Sequence, residues 1–228
     1  MAEAEDKVAT RAQVRGKRRF ALGRHHGLSD GVFSIAMTLL VLDIKLPDVP
    51  SDFKMTEAYL FNFLTADSLS HFATFILSFY VIGSQWLAHH EMFDSIEYTD
   101  RRLLLFNLQY LMVIAVMPFP SALLANYGSE SIAVAVYAVA IGLGGLLRAR
   151  IQWYASATGL LKQDVDGKAW RKDTISAMAF GVLFVLSAGL AFISPIVAYA
   201  SWFVVLGGWA VLSRSGIFGL LVDRFRRD

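Results

Sequence analysis

Arg24-His25-His26-Gly27-Leu28-Ser29-Asp30-Gly31-Val32-Phe33-Ser34-Ile35-Ala36-Met37-Thr38-Leu39-Leu40-Val41-Leu42-Asp43-Ile44 passes from a polar start into a long apolar run. Between Val32 and Leu42 only Ser34 and Thr38 carry polar side chains. A run from about Leu28 to Leu46 has the length needed to cross the hydrocarbon of a bilayer as a helix. Backbone groups cannot go unpaired in lipid, so a helix is the reading for such a run. Five further runs follow, at about Leu69–His89, Leu103–Ala125, Ser131–Trp153, Ile175–Ile193 and Ile196–Leu212. They are apolar on all sides and lack the alternation of barrel strands. The expected fold is all-α, a polytopic membrane protein with six transmembrane helices.

Composition agrees with this. The 228 residues are 56% hydrophobic and 18% charged, with a mean hydropathy of +0.50. An ordinary soluble domain is less apolar and more charged. Cysteine is absent, which removes disulfides, thiolate metal sites and a cysteine nucleophile. Net charge is only +2, yet the charges are segregated. With six spans, all 21 Lys and Arg fall on one side except Lys45 and Lys54, which lie among Asp43, Asp48, Asp52, Glu57, Asp67 and Glu130. The positive-inside bias then puts both termini in the cytoplasm of a multi-pass cell-membrane protein. Two regions are expected: a basic cytoplasmic arm over 1–23, polar and without a cleavable signal, and a transmembrane domain over 24–228.

The loop from Pro47 to Asp67 carries Tyr59, Leu60, Phe61, Phe63 and Leu64, the pattern of a short amphipathic helix at the outer interface. Asn126-Tyr127-Gly128 and Ser194-Pro195 mark tight turns. Met117-Pro118-Phe119-Pro120 kinks the third helix. Ala138, Gly142 and Gly145 have the small-residue spacing of close helix contact, and Gly207, Gly208, Gly216 and Gly219 suit the same role at the sixth helix.

Two groups carry the functional information. Arg24, Ser29 and Asp30 stand at the start of the first helix, level with Trp86, His89 and His90 at the end of the second. Ser29 or Asp30 is suited to capping the helix. Equally, the group suits a polar knot between helices, with one histidine, Trp86, Asn107 and Gln109 as partners. Adjacent histidines point about 100° apart on a helix, which argues against a shared metal. The second group is Ile35, Thr38, Leu39 and Leu42, at i, i+3, i+4 and i+7 on one face. Such a face suits either helix packing or a dewetting constriction. One helix cannot enclose a pore, so the second reading requires several copies around an axis. Asp43 is either solvated or a cation attractor at a pore mouth. No Ser-His-Asp set at a common membrane depth, phosphate-binding glycine loop or His-Glu-x-x-His is present, so no enzyme activity is expected.

The stretch Arg24 with Leu28-Ser29-Asp30 and the apolar run to Ile44 resembles the first helix of the transmembrane protein 175 family of potassium channels. That family opens its first helix with Arg-x-x-x-Phe-Ser-Asp. Ser78–His90 and Met117–Leu124 resemble the family's second and third helices, so the likeness covers about residues 24–126. It implies a six-span subunit of the single-repeat prokaryotic type, assembled as a homotetramer whose first helices line the pore. The tightest hydrophobic ring would be Ile35, with Leu39 and Leu42 further out. Thr38 would supply a hydroxyl ring favouring potassium. Arg24, Ser29, Asp30, Trp86, His89, His90 and Asn107 would form a polar cluster at the cytoplasmic end. The family's Phe is Leu28 here, which implies altered helix packing more than altered conduction.

The function so implied is a weakly selective, potassium-preferring cation channel with a hydrophobic constriction. Its partners are the lipid bilayer, potassium ions in transit and its own copies. No cofactor, resident metal or nucleic acid is expected. The alternative is a proton-coupled secondary transporter that titrates Asp30 and a second-helix histidine, although inverted repeats and broken midplane helices are not visible. A non-conducting scaffold or membrane enzyme is a third reading.

Overall fold

The computed structural model describes residues 22–44 and 56–212. The N-terminal arm, Lys45, Lys54 and the C-terminal segment lie outside the described residues, as do Gly216 and Gly219. Eight α-helices make up the described chain. They are α1 (Leu22–Leu39), α2 (Glu57–Asn62), α3 (Leu69–Asp94), α4 (Arg101–Val116), α5 (Pro118–Tyr127), α6 (Ser131–Ala157), α7 (Gly167–Ala191) and α8 (Pro195–Leu212). There are no β-strands among the described residues.

Local chemistry sets the boundaries. The first helix starts at Leu22, six residues before the expected start, so Ser29 and Asp30 lie inside it. The capping role considered for them is therefore overturned. α1 then tightens into a 3-10 turn over Leu40–Asp43. Thr56 caps α2, its hydroxyl accepting from Tyr59 N at 3.3 Å. A π turn, Phe63–Asp67, follows α2. Phe61 and Leu64 are exposed. Asp100 caps α4 by accepting from Leu103 N at 2.8 Å. The third apolar run is split, because Pro118 starts α5 directly after Met117. α7 begins eight residues earlier than its apolar run, capped by Asp166 and continuing through Lys168–Lys172.

Among the described residues, three stretches are long and apolar enough to cross a membrane: Arg101–Tyr127, Ser131–Ala157 and Gly167–Ala191. With these apolar helices the chain reads as a multi-pass membrane protein. α1 and α3 carry a larger polar load, with Asp30 on α1 and His71, Gln85, His89, His90 and Glu91 on α3. At 1.5 Å per residue the 26 residues of α3 still extend about 39 Å.

Packing runs in one direction across the bundle. α1 lies at an edge, against α3 and α4; α6 packs on α4 and α5; α7 packs on α6, and α8 on α7. The α6–α7 seam is the tightest. A Cβ built on Gly142 would come within 2.7 Å of Val185 and 2.8 Å of the Gly181 carbonyl, and one on Gly181 within 2.7 Å of Leu146 N. Glycine here lets the two backbones approach, which is how helices gain van der Waals contact where lipid offers no hydrophobic drive. Buried and part-buried polar pairs pin the remaining helices. Ser78 and Tyr137 hydroxyls are 3.0 Å apart, Trp202 Nε1 donates to Ser187 Oγ at 2.9 Å, and Tyr199 Oη donates to the Gly128 carbonyl at 2.8 Å.

At one end the α3–α4 and α6–α7 connections are tied together. Glu97 N donates to Leu160 O at 2.8 Å, and Lys162 N to Ser95 O at 3.1 Å. Gly159 precedes this tie with φ +66, the left-handed region that glycine enters without steric cost.

Candidate functional site

The first helix divides into two faces. Phe33, Ala36 and Leu40 are buried against α3 and α4. The opposite face is bare: Ile35 is 59% exposed, Leu39 41% and Leu42 69%, and Thr38 is exposed between them. Such residues on a core-facing helix would be buried within the subunit, and here they are not. Ile35 and Leu42 lie two turns apart, about 10 Å along the axis. The Thr38 hydroxyl sits 3.0 Å from the carbonyls of Ser34 and of Ile35, so its hydrogen is spent on the backbone. Its oxygen lone pairs are left for whatever faces the helix, and an acceptor suits a cation.

The polar half of α1 is tied into the bundle. Ser29 is buried, and its Oγ accepts from Asn107 Nδ2 of α4 at 3.2 Å. Asn107 Oδ1 lies 2.8 Å from His89 Nε2 of α3. Both His89 and Asn107 are buried, so each leg satisfies groups that would otherwise be costly at this depth. Asp30 Oδ1 accepts from Trp86 Nε1 at 2.8 Å. Rings complete the contact: His89 stacks on Tyr110 at 5.4 Å, and Phe33 lies 5.6 Å from His89 and 6.0 Å from Tyr110.

Ser29, Asp30, Trp86, His89 and Asn107 are thus brought together between α1, α3 and α4. His90 stands at the rim of this group: it is exposed, its ring 5.8 Å from that of Trp86 and its Nε2 3.6 Å from Asp94, because a residue adjacent to an inward histidine points to another face. Gln109 is elsewhere, accepting from Arg150. The side chain of Arg24 lies outside the described residues. Leu28 is half exposed, so the departure from the family's Phe falls outside the subunit's core.

Other buried polar groups escaped the sequence reading. Arg148 is 1% exposed, and its Nη1 lies 3.4 Å from Asp173 Oδ2 of α7. Gln152 Nε2 donates to the same oxygen at 2.5 Å. The signal was available: Ala138, Ile141, Gly145, Arg148 and Gln152 form one helical stripe, which continues the glycine seam. Gln85 was likewise legible, lying four residues before His89 on the face that also holds Ser78.

Residues 24–118 match the model of a family described as the endosomal/lysosomal potassium channel TMEM175. A potassium channel of Streptomyces collinus is 38% identical over 75% of this chain and 83% of its own length. A potassium channel of Chamaesiphon minutus is 32% identical over 85% of this chain and 95% of its own length. The endosomal/lysosomal proton channel TMEM175 of Danio rerio is 24% identical over 60% of this chain and only 25% of that protein. The crystal structure of a lysosomal potassium-selective channel TMEM175 homolog from Chamaesiphon minutus superposes with a TM-score of 0.68 at 28% identity, covering 85% of this chain and 97% of that one.

Proposed function

This chain belongs to the TMEM175 family, and from that premise we propose that it is a potassium-preferring cation channel of the cell membrane. Its six membrane-spanning segments assemble as a homotetramer with both termini in the cytoplasm, the first helices surrounding the conduit. The observation that carries this reading is the bare apolar stripe Ile35–Leu39–Leu42, on a helix whose other face is buried. Around a symmetry axis that stripe forms stacked rings of aliphatic side chains, which close a pore by drying rather than by charge. Ile35 is the narrowest ring. Thr38 supplies a ring of hydroxyl oxygens that replace part of an ion's hydration shell. Without carbonyl cages the preference for potassium is weak.

The polar knot at the basic end holds the first helix in register with α3 and α4. In this reading Arg24 is the basic member of that knot. The transporter reading is not favoured: His89 is bonded to Asn107 and Asp30 to Trp86, so the two titratable groups it invokes have separate partners.

The test is reconstitution of the purified protein into liposomes and planar bilayers. Unitary current steps carried by potassium, larger than those carried by sodium, are the expected result. Saturable flux without unitary steps would favour a carrier, and no flux a scaffold.

A further inference from the structure

The basic end of the bundle carries a second feature that the pore reading does not use. Arg150 on α6 is exposed, and among the described residues it forms no ion pair. Its guanidinium is nevertheless held in place. It sits 3.9 Å over the Phe106 ring centroid on α4, and its Nη1 donates to Gln109 Oε1 at 3.1 Å. An arginine fixed by neutral groups keeps its charge and most of its planar fork of donors for an incoming anion. That fork matches the paired oxygens of a phosphate.

The surroundings narrow the class of ligand. Arg102 is exposed on the stripe of α4 that also presents Leu105, Gln109 and Met112. The acid of this seam, Asp100, is already engaged: one carboxylate oxygen accepts from Leu103 N at 2.8 Å, the other from Tyr154 Oη at 2.6 Å. Trp153, three residues beyond Arg150, is 68% exposed, as an indole at a membrane interface is. Leu105 and Met112, 49% and 63% exposed, offer apolar surface beside the charges. A dissolved anion would use the arginines alone; a lipid would use both surfaces.

We propose that the α4–α6 seam binds an anionic phospholipid, its phosphate on Arg150 and Arg102 and its acyl chains along Leu105 and Met112. The full-length protein in mild detergent is titrated with phosphatidylglycerol or phosphatidylcholine and read by native mass spectrometry, which reports bound lipid and subunit number together. Phosphatidylglycerol is expected to be retained in preference. Arg150→Gln lowers its affinity about five-fold, the worth of one arginine at an anionic surface. Arg150→Lys loses less, and Arg171→Gln, on α7 away from the seam, loses nothing. Excess inorganic phosphate leaves the lipid in place. Equal retention of the two lipids, or unchanged affinity in Arg150→Gln, overturns the proposal. So does displacement by inorganic phosphate, which would mark a site for a free anion. A changed subunit number in Arg150→Gln with lipid binding intact also overturns it, since the seam would then be a contact between copies. None of these readouts depends on conduction, so the lipid site and the pore reading fail separately.

Discussion

The two seams that flank α4 and α6 hold their helices in opposite ways. Between α6 and α7, glycines bring backbone against backbone along Gly142, Gly145 and Gly181. Between α1 and its neighbours, long side chains make the contact: Asn107 to Ser29, Trp86 to Asp30, Phe33 against His89. Close backbone packing leaves no room for a shift, because every displacement meets main-chain atoms. The first helix packs through Phe33, Ala36 and Leu40, is tied by directional side-chain bonds toward one end, and keeps its other face free. The first seam is therefore scaffold, and the second positions the helix whose outward stripe is proposed to line the conduit.

The comparison breaks first if the glycine seam tolerates bulk. Gly181→Leu adds atoms where a Cβ alone meets Leu146 N at 2.7 Å, and is expected to cost about 3 kcal/mol or more, read as loss of monodisperse protein or a lower melting temperature. A wild-type melt would show that the two backbones are not locked. On the other seam, Asn107→Ala removes the shared partner of Ser29 and His89. The expected cost is about 2 kcal/mol in thermal unfolding, because two buried groups lose their hydrogen bonds. A loss as large as that of Gly181→Leu would erase the distinction between the seams.

The bare face gives the smaller effects, on conduction rather than stability. Ile35→Asn wets the constriction, and liposome flux is expected to rise on the order of ten-fold, equal to about 1.4 kcal/mol off the barrier. Melting stays near wild type, since the site is exposed in the subunit. Thr38→Val removes one hydroxyl per copy. It is expected to lower the potassium-to-sodium permeability ratio by about five-fold at most, as read from the reversal potential in mixed salts. An unchanged ratio would move selectivity away from Thr38.

Much of this was legible in the sequence, because membrane helices are written in long apolar runs and proline and glycine punctuate them. Each described apolar run lies on a helix, and Pro118 breaks the third run where its missing N–H requires. The boundaries were harder to read where polar residues continue a helix past its apolar core. That is why α1 begins at Leu22 and α7 at Gly167. In the site, residue types identified the groups that meet, but only helical phase separates His89 from His90. The Arg148–Asp173 pair was hidden because counting basic residues assigns them to a side of the membrane without giving their helical phase. The buried stripe running through Gly145 to Gln152 carries Arg148 inward instead.

The central claim, that the first helix lines the conduit, is tested most directly by thiol accessibility, and the cysteine-free chain provides a silent background. Ile35→Cys and, as a control on the outward face of α7, Leu186→Cys are reconstituted and treated with a cationic thiol reagent during recording. The account predicts an irreversible change of potassium current in Ile35→Cys alone. Currents through Ile35→Cys that persist unaltered after the thiol has been labelled would contradict it.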